Sequence, residues 1–505
     1  MSIERYYLLK ILGLSTIPRI VTFTLTLVSF PLMVRALGAS QYGIFVYLIN
    51  VISILESFAD FGVSSATGKA LAEARTVRPA YIRRELSLWV KAQSAVAFVG
   101  LMPLVVIGYY LNTITGKLSA PTEVFFVVTL SIWLAIANSF IRAGLVSLLS
   151  FKYLSVLDTV ESVVRSSGYF FVAFAMPTLF VLAVAGLVTV VCTSLLGVFF
   201  VTHSLRKYPA ASQKESSDLR DIPWYRRREL ILDSLHFLGL RFATRCFQSF
   251  PIMLLGRMYG AELVGVIGIF SKYADIVSFP ISVIGNGLKV RAQEIKRHGI
   301  DAIGRFFDLI FRLTVVALVL ACGMFLVSAQ VATLLVRDNV LGPILFSIMS
   351  ILIFARSGAD LFAPAIDYVG GLGLRVLFLS FCAVLQIPLI WAGGHYYAEI
   401  GAVTMLVTAY CAMVVGYVLI AKRTFLGIAI YRVPRDVYVA TAVVIGAMIA
   451  ILLVFTHLIH IALISLGYGG EMLLLLGIYG LSLTLLFWLA PVLKDNYLTL
   501  RLLEP

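Results

Sequence analysis

Arg19 and Arg241 sit inside apolar stretches, and the sequence around one partly repeats around the other. Their separation is 241 − 19 = 222 residues. The same shift superposes Arg35 on Arg257, and Gly38, Ala39 and Gly43 of R-A-L-G-A-S-Q-Y-G on Gly260, Ala261 and Gly265 of R-M-Y-G-A-E-L-V-G. A guanidinium keeps its charge at any physiological pH and is costly in hydrocarbon, so it needs an anion, a partner or a water-filled cavity. Arg241 and Arg245 are four residues apart and share a helix face. Arg19 and Arg241 enter their helices at similar depth, Arg19 roughly 12 Å along at 1.5 Å per residue. Two such groups facing each other can hold a diphosphate in bidentate fashion. Snorkelling to the membrane surface, or burial beside an acid, would use the same residues differently.

A second tier of cations comprises Arg142, Arg165 and Arg356. Glu161 precedes Arg165 by four residues and Asp360 follows Arg356 by four, so both arginines are expected in ion pairs along their own helices. Arg142 has no such in-helix neighbour and stands with Arg19, Arg241 and Arg245 as a candidate diphosphate ligand. The acids in apolar segments are Glu56, Asp60, Asp233, Asp275, Asp360 and Asp367. A carboxylate in a dehydrated cavity can titrate near neutrality, which makes Glu56, Asp60 and Asp275 candidates for coupling ion entry to transport. For Asp60, near the inner end of its span, capping or pairing with a loop base is the default expectation. His457 and His460 lack a third ligand, so no metal site is expected. T-G-K-A at 67–70 lacks the glycine spacing and hydroxyl of a nucleotide loop, and no nucleophile elbow or dinucleotide loop is found. No cofactor and no catalytic residue is implied.

The elements that must carry these charges are membrane helices. Of 505 residues, 60% are hydrophobic and 13% charged, against about a quarter charged in soluble chains. Mean hydropathy is +0.98. Apolar runs of about 20 residues recur, the length that crosses a bilayer as helix. They fall near 11–33, 42–63, 88–111, 122–146, 156–176, 180–203, 231–255, 264–287, 306–331, 343–365, 374–394, 400–421, 437–461 and 472–492. This predicts an all-α polytopic membrane protein of about 14 helices. Arg19 interrupts the first apolar run and no small-x-small site follows it, which argues against a cleaved signal peptide. Basic residues gather in alternate loops, as at Lys69, Arg75, Arg78, Arg83 and Arg84 and at Arg226, Arg227 and Arg228. That asymmetry puts both termini in the cytoplasm and explains the net charge of +14 without nucleic acid. Five cysteines in apolar spans, with no C-x-x-C, read as packing residues.

The polar stretch beginning near Ser204 divides the chain. The expected organisation is an N-terminal six-helix bundle over 1–210, a cytoplasmic linker over 211–230, a second six-helix bundle over 231–430, and two further helices within 437–492. Two halves with an even number of spans share orientation, as parallel repeats about an axis along the membrane normal.

Residues 32–75 carry Leu37-Gly38, Tyr42-Gly43 and Asp60-Phe61-Gly62, then a small-residue run and a basic helix. This segment resembles the opening of the polysaccharide-exporter (Wzx-type flippase) family of the MOP superfamily. The second half keeps R-x-x-G-A-x-x-x-G but has no Asp-Phe-Gly. The resemblance implies a bacterial inner-membrane flippase that moves an undecaprenyl-diphosphate-linked oligosaccharide by alternating access. Its implied partners are that lipid-linked sugar, membrane lipids and other polysaccharide-assembly proteins of the membrane. Two rivals share the layout: a peptidoglycan-precursor flippase and a cation-coupled multidrug antiporter. Cationic substrates favour an acidic cavity, whereas the clearest intramembrane charges here are cationic. A membrane-embedded glycan polymerase or ligase would need a large outer loop bearing Arg or His, which the short outer connections do not supply.

Overall fold

The computed structural model describes residues 28–64, 82–114, 116–148, 150–206, 224–278, 341–369 and 372–425, with isolated positions elsewhere. The side chains of 224–233 are not among them. Every regular element among the described residues is helical. Besides a 3-10 turn at Gly116–Leu118, the α-helices in chain order are α1 (Ala39–Asp60), α2 (Ile82–Ile114), α3 (Thr122–Ser147), α4 (Phe151–Phe174) and α5 (Leu179–Leu205). Then follow α6 (Trp224–Tyr259), α7 (Ala261–Val277), α8 (Gly342–Met349), α9 (Ile351–Val369) and α10 (Leu372–Phe425). Among the described residues six helical stretches are long and apolar enough to cross a membrane, so the chain is a multi-pass membrane protein. Arg19 and the expected spans at 437–461 and 472–492 lie outside the described residues.

The expected spans at 374–394 and 400–421 are the two arms of α10, which turns at Tyr397 (φ −131°) and Ala398 (φ 52°). Gly393 and Gly401 make close backbone contact although eight residues of continuous helix would separate them by about 12 Å, so the helix axis reverses there.

The chain forms two compact units, Met1–Gly265 and Val266–Pro505. In the first, α1 packs against α2, α3 and α6, while α5 lies against α3 and α4. Arg83 at the start of α2 donates through Nε and Nη2 to the Leu205 carbonyl at 3.3 and 3.1 Å, closing the C-terminus of α5 with a cation. In the second unit, α10 packs on α8 and α9.

The 222-residue repeat is physical in the backbone. Gly38 and Gly260 both adopt positive φ, 84° and 91°, and each amide bonds the carbonyl four residues back at 2.8 Å. A Cβ on Gly43 would lie 1.7 Å from the Ala261 carbonyl oxygen, and one on Gly265 would lie 2.0 Å from that of Ala39. The start of α1 and the first turn of α7 therefore cross backbone to backbone, each using the glycine that the shift superposes.

Candidate functional site

The site is built where α1 breaks. Phe61 (φ 50°) and Gly62 (φ 72°) are both left-handed, and helical geometry resumes at Val63 and Ser64. Thr67 Oγ1 bonds the Val63 carbonyl at 2.7 Å, as expected of a helix under way again. Asp60 therefore marks an interruption of a longer helical path rather than its end. Its level is set by Gln93, which lies eleven residues, about 16 Å, inside α2.

Glycine is required at this break for a second reason. A Cβ on Gly62 would fall 2.4 Å from the Ser234 carbonyl oxygen and 2.7 Å from the Leu238 amide, so the turn presses on α6 backbone. Leu238 is one turn before Arg241. On the other flank, Gly100 of α2 packs on Ala59, where a Cβ would lie 2.4 Å from the Ala59 Cα. The Asp-Phe-Gly turn thus clamps the end of α1 between α2 and α6 and brings Asp60 beneath Arg241.

Arg241 Nη1 donates to Asp60 Oδ2 at 2.6 Å, and its Nη2 donates to Glu56 Oε1 at 2.6 Å. Arg245 Nη2 reaches the other oxygen, Glu56 Oε2, at 3.4 Å. Asp60 also accepts from Ser64 Oγ and, at 3.4 Å, from Gln93 Nε2. Asp60 is 0% exposed and Glu56 5%. The side chains of Arg241 and Arg245 are 21% and 36% exposed. Two cations and two anions thus form one cluster with buried carboxylates and partly open guanidinium groups, Arg245 its most open member. Where sequence suggested a cationic clamp at Arg241 and separate coupling acids, the structure unites them. It also replaces the loop base expected at Asp60 with Arg241, a residue 181 positions away.

Arg142 joins a different group. It donates to Asp158 and Glu161 of α4, and Glu161 also accepts from Arg165. The in-helix pair Glu161–Arg165 is present as expected. Arg142, which lacks an in-helix acid, finds its acids on the next helix, 16 and 19 residues on. These side chains are 23–46% exposed, so the group is open on one side.

In the second unit Arg356 of α9 donates to Asp275 Oδ1 at 3.3 Å and Ser271 Oγ at 3.2 Å, both on α7, and stands 5.6 Å over the Tyr410 ring. Arg356, expected to pair along its own helix, therefore has an acid partner across helices. Asp275 is itself exposed and belongs to this pair.

Residues 8–287 match the family described as polysaccharide biosynthesis protein. No curated protein matches the chain by sequence. Among solved structures, an inward-facing multidrug resistance MATE family transporter of the MOP superfamily aligns with TM-score 0.60 and 14% identity over 81% of this chain and 100% of its own. The lipid II flippase MurJ in an inward closed conformation aligns with TM-score 0.61 and 11% identity, covering 95% of this chain and 99% of its own. A MOP superfamily transporter from Pyrococcus furiosus, whose binding pocket is described as of reverse polarity, aligns with TM-score 0.57 and 13% identity over 83% and 94%. The fold is thus that of MOP superfamily transporters.

Proposed function

We propose that this chain, which belongs to the polysaccharide biosynthesis protein family, is a flippase that carries a prenyl-diphosphate-linked oligosaccharide across the bacterial inner membrane by alternating access. Family membership over more than half of the chain is the observation that carries this reading. The lipid-linked substrate in the name of one structural neighbour, the lipid II flippase, agrees with it. Arg241 and Arg245 are the groups assigned to the lipid diphosphate, with Arg19 as their repeat partner and Arg142 as a further cation along the path. Glu56 and Asp60 are the assigned coupling acids and Asp275 a second one. The distribution of basic loops supports both termini facing the cytoplasm. Residues 1–210 and 231–430 act as the two rocking bundles.

The antiporter reading needs carboxylates offered to a cationic substrate. Glu56 and Asp60 are instead engaged by guanidinium groups, and the most exposed charge of the cluster is Arg245. That arrangement favours an anionic ligand. The test is transfer of a fluorescent lipid-linked oligosaccharide across proteoliposomes containing the full chain. Transfer lost in Arg241→Lys/Arg245→Gln and kept in a control such as Cys192→Ser supports the reading. Transport of organic cations with no movement of the lipid-linked sugar refutes it.

A further inference from the structure

We propose that Glu56 and Asp60 are stand-in anions: in this conformation they occupy the two seats on Arg241 that a ligand's charged groups must take. They thereby fix how many such groups a ligand must bring. The inference rests on the anion-site reading above and adds to it a source of selectivity.

The geometry carries the argument. A guanidinium facing a single carboxylate ordinarily directs both of its terminal nitrogens to it. Arg241 instead divides its fork, with Nη1 on Asp60 and Nη2 on Glu56, each at 2.6 Å. The two acids are one helical turn apart on α1, so two anionic groups are held side by side along one cation. Both are buried, and neither can exchange Arg241 for bulk water. Each instead has a second partner in place. Asp60 keeps Ser64 and Gln93, and Glu56 keeps Arg245. The Gln93 amide is committed to Asp60 at a cost, because its Oε1 is buried without a hydrogen-bond partner. The carboxylates are thus provided for when Arg241 turns to a ligand. A ligand with one charged group displaces one carboxylate and leaves the other competing for the same guanidinium. A ligand with two adjacent charged groups displaces both. Discrimination between a diphosphate and a monophosphate then lies in the acid pair rather than in Arg241 alone.

The full-length protein in detergent, titrated with farnesyl diphosphate and farnesyl phosphate, tests this directly. Wild type is expected to favour the diphosphate by about ten-fold or more. Glu56→Gln should tighten binding of both probes, and shrink the preference by roughly ten-fold, the worth of one charge-assisted hydrogen bond. Asp60→Asn should act in the same direction and stands as the second variant should the first fold poorly. In transport, both should lower the substrate concentration for half-maximal rate while slowing turnover, because the acids no longer return to expel the ligand. An unchanged preference, or weaker diphosphate binding in the folded acid variants, overturns the proposal. Undiminished diphosphate binding by Arg241→Gln would instead refute the anion site on which it rests.

Discussion

Arg241→Ala should damage the protein before it damages transport. The substitution removes two charge-assisted hydrogen bonds of 2.6 Å and leaves two carboxylates, one of them fully buried, without their main cation. Such bonds contribute about 1.5–3 kcal/mol each, and breaking a buried ion pair costs about 3–5 kcal/mol. Arg241 is itself one-fifth exposed, which places the expected loss near the lower end, at about 3 kcal/mol. Folded proteins have about 5–15 kcal/mol in total, so this loss should lower steady-state abundance several-fold. A tagged chain followed by in-gel fluorescence and by thermal unfolding in detergent gives the readout. The neutral double variant Asp60→Asn/Arg241→Gln leaves Glu56 with Arg245, removes the stranded charge and should regain most of the abundance, yet should not transport. Normal abundance and an unshifted midpoint for Arg241→Ala would show that the cluster is not a structural ion network, and the reasoning would fail.

Gly62→Ala forces a Cβ to 2.4 Å from the Ser234 carbonyl at φ 72°, and should cost more than the roughly 1–2 kcal/mol of a left-handed residue alone; low abundance together with lost export is the expected phenotype. Gly43→Ala and Gly38→Ala make a matched contrast. The first meets backbone at 1.7 Å and should destabilise strongly, whereas the second has open space and pays only for its positive φ, so thermal midpoints should fall in that order. Arg142→Gln should leave Asp158 without its main cation while Glu161 keeps Arg165, giving a smaller loss of stability than Arg241→Ala in the same assay.

The sequence carried the parts of this structure that depend on local spacing. Apolar run length placed α1, α3, α5 and both arms of α10 to within a few residues, because the hydrocarbon thickness sets that length. The glycines of the 222-residue repeat were legible too, since only glycine permits both the positive φ at 38 and 260 and the crossing at 43 and 265. Partners across helices were not legible. Nothing in the spacing of Asp60 and Arg241, 181 residues apart, announces that they touch. What connects them is the Asp-Phe-Gly turn, whose glycine was visible but whose contact with α6 backbone depends on three-dimensional approach. The same blindness left Arg142 without its acids, which lie on the next helix.

This difference bears on how a charged transport site is read. A cation in an apolar helix signals an anion, and the sequence alone suggested that the anion was the substrate. In the folded chain the anions nearest Arg241 are its own Glu56 and Asp60, so the cluster is neutral before any ligand arrives. A neutral cluster can be buried at tolerable cost, whereas an unpaired guanidinium at the same depth cannot. On the proposal above it can also bind strongly without becoming a trap, because the displaced acids compete with the ligand for the cation. Release is then as much a property of the site as capture. A purely cationic clamp would bind a diphosphate tightly and give it no reason to leave.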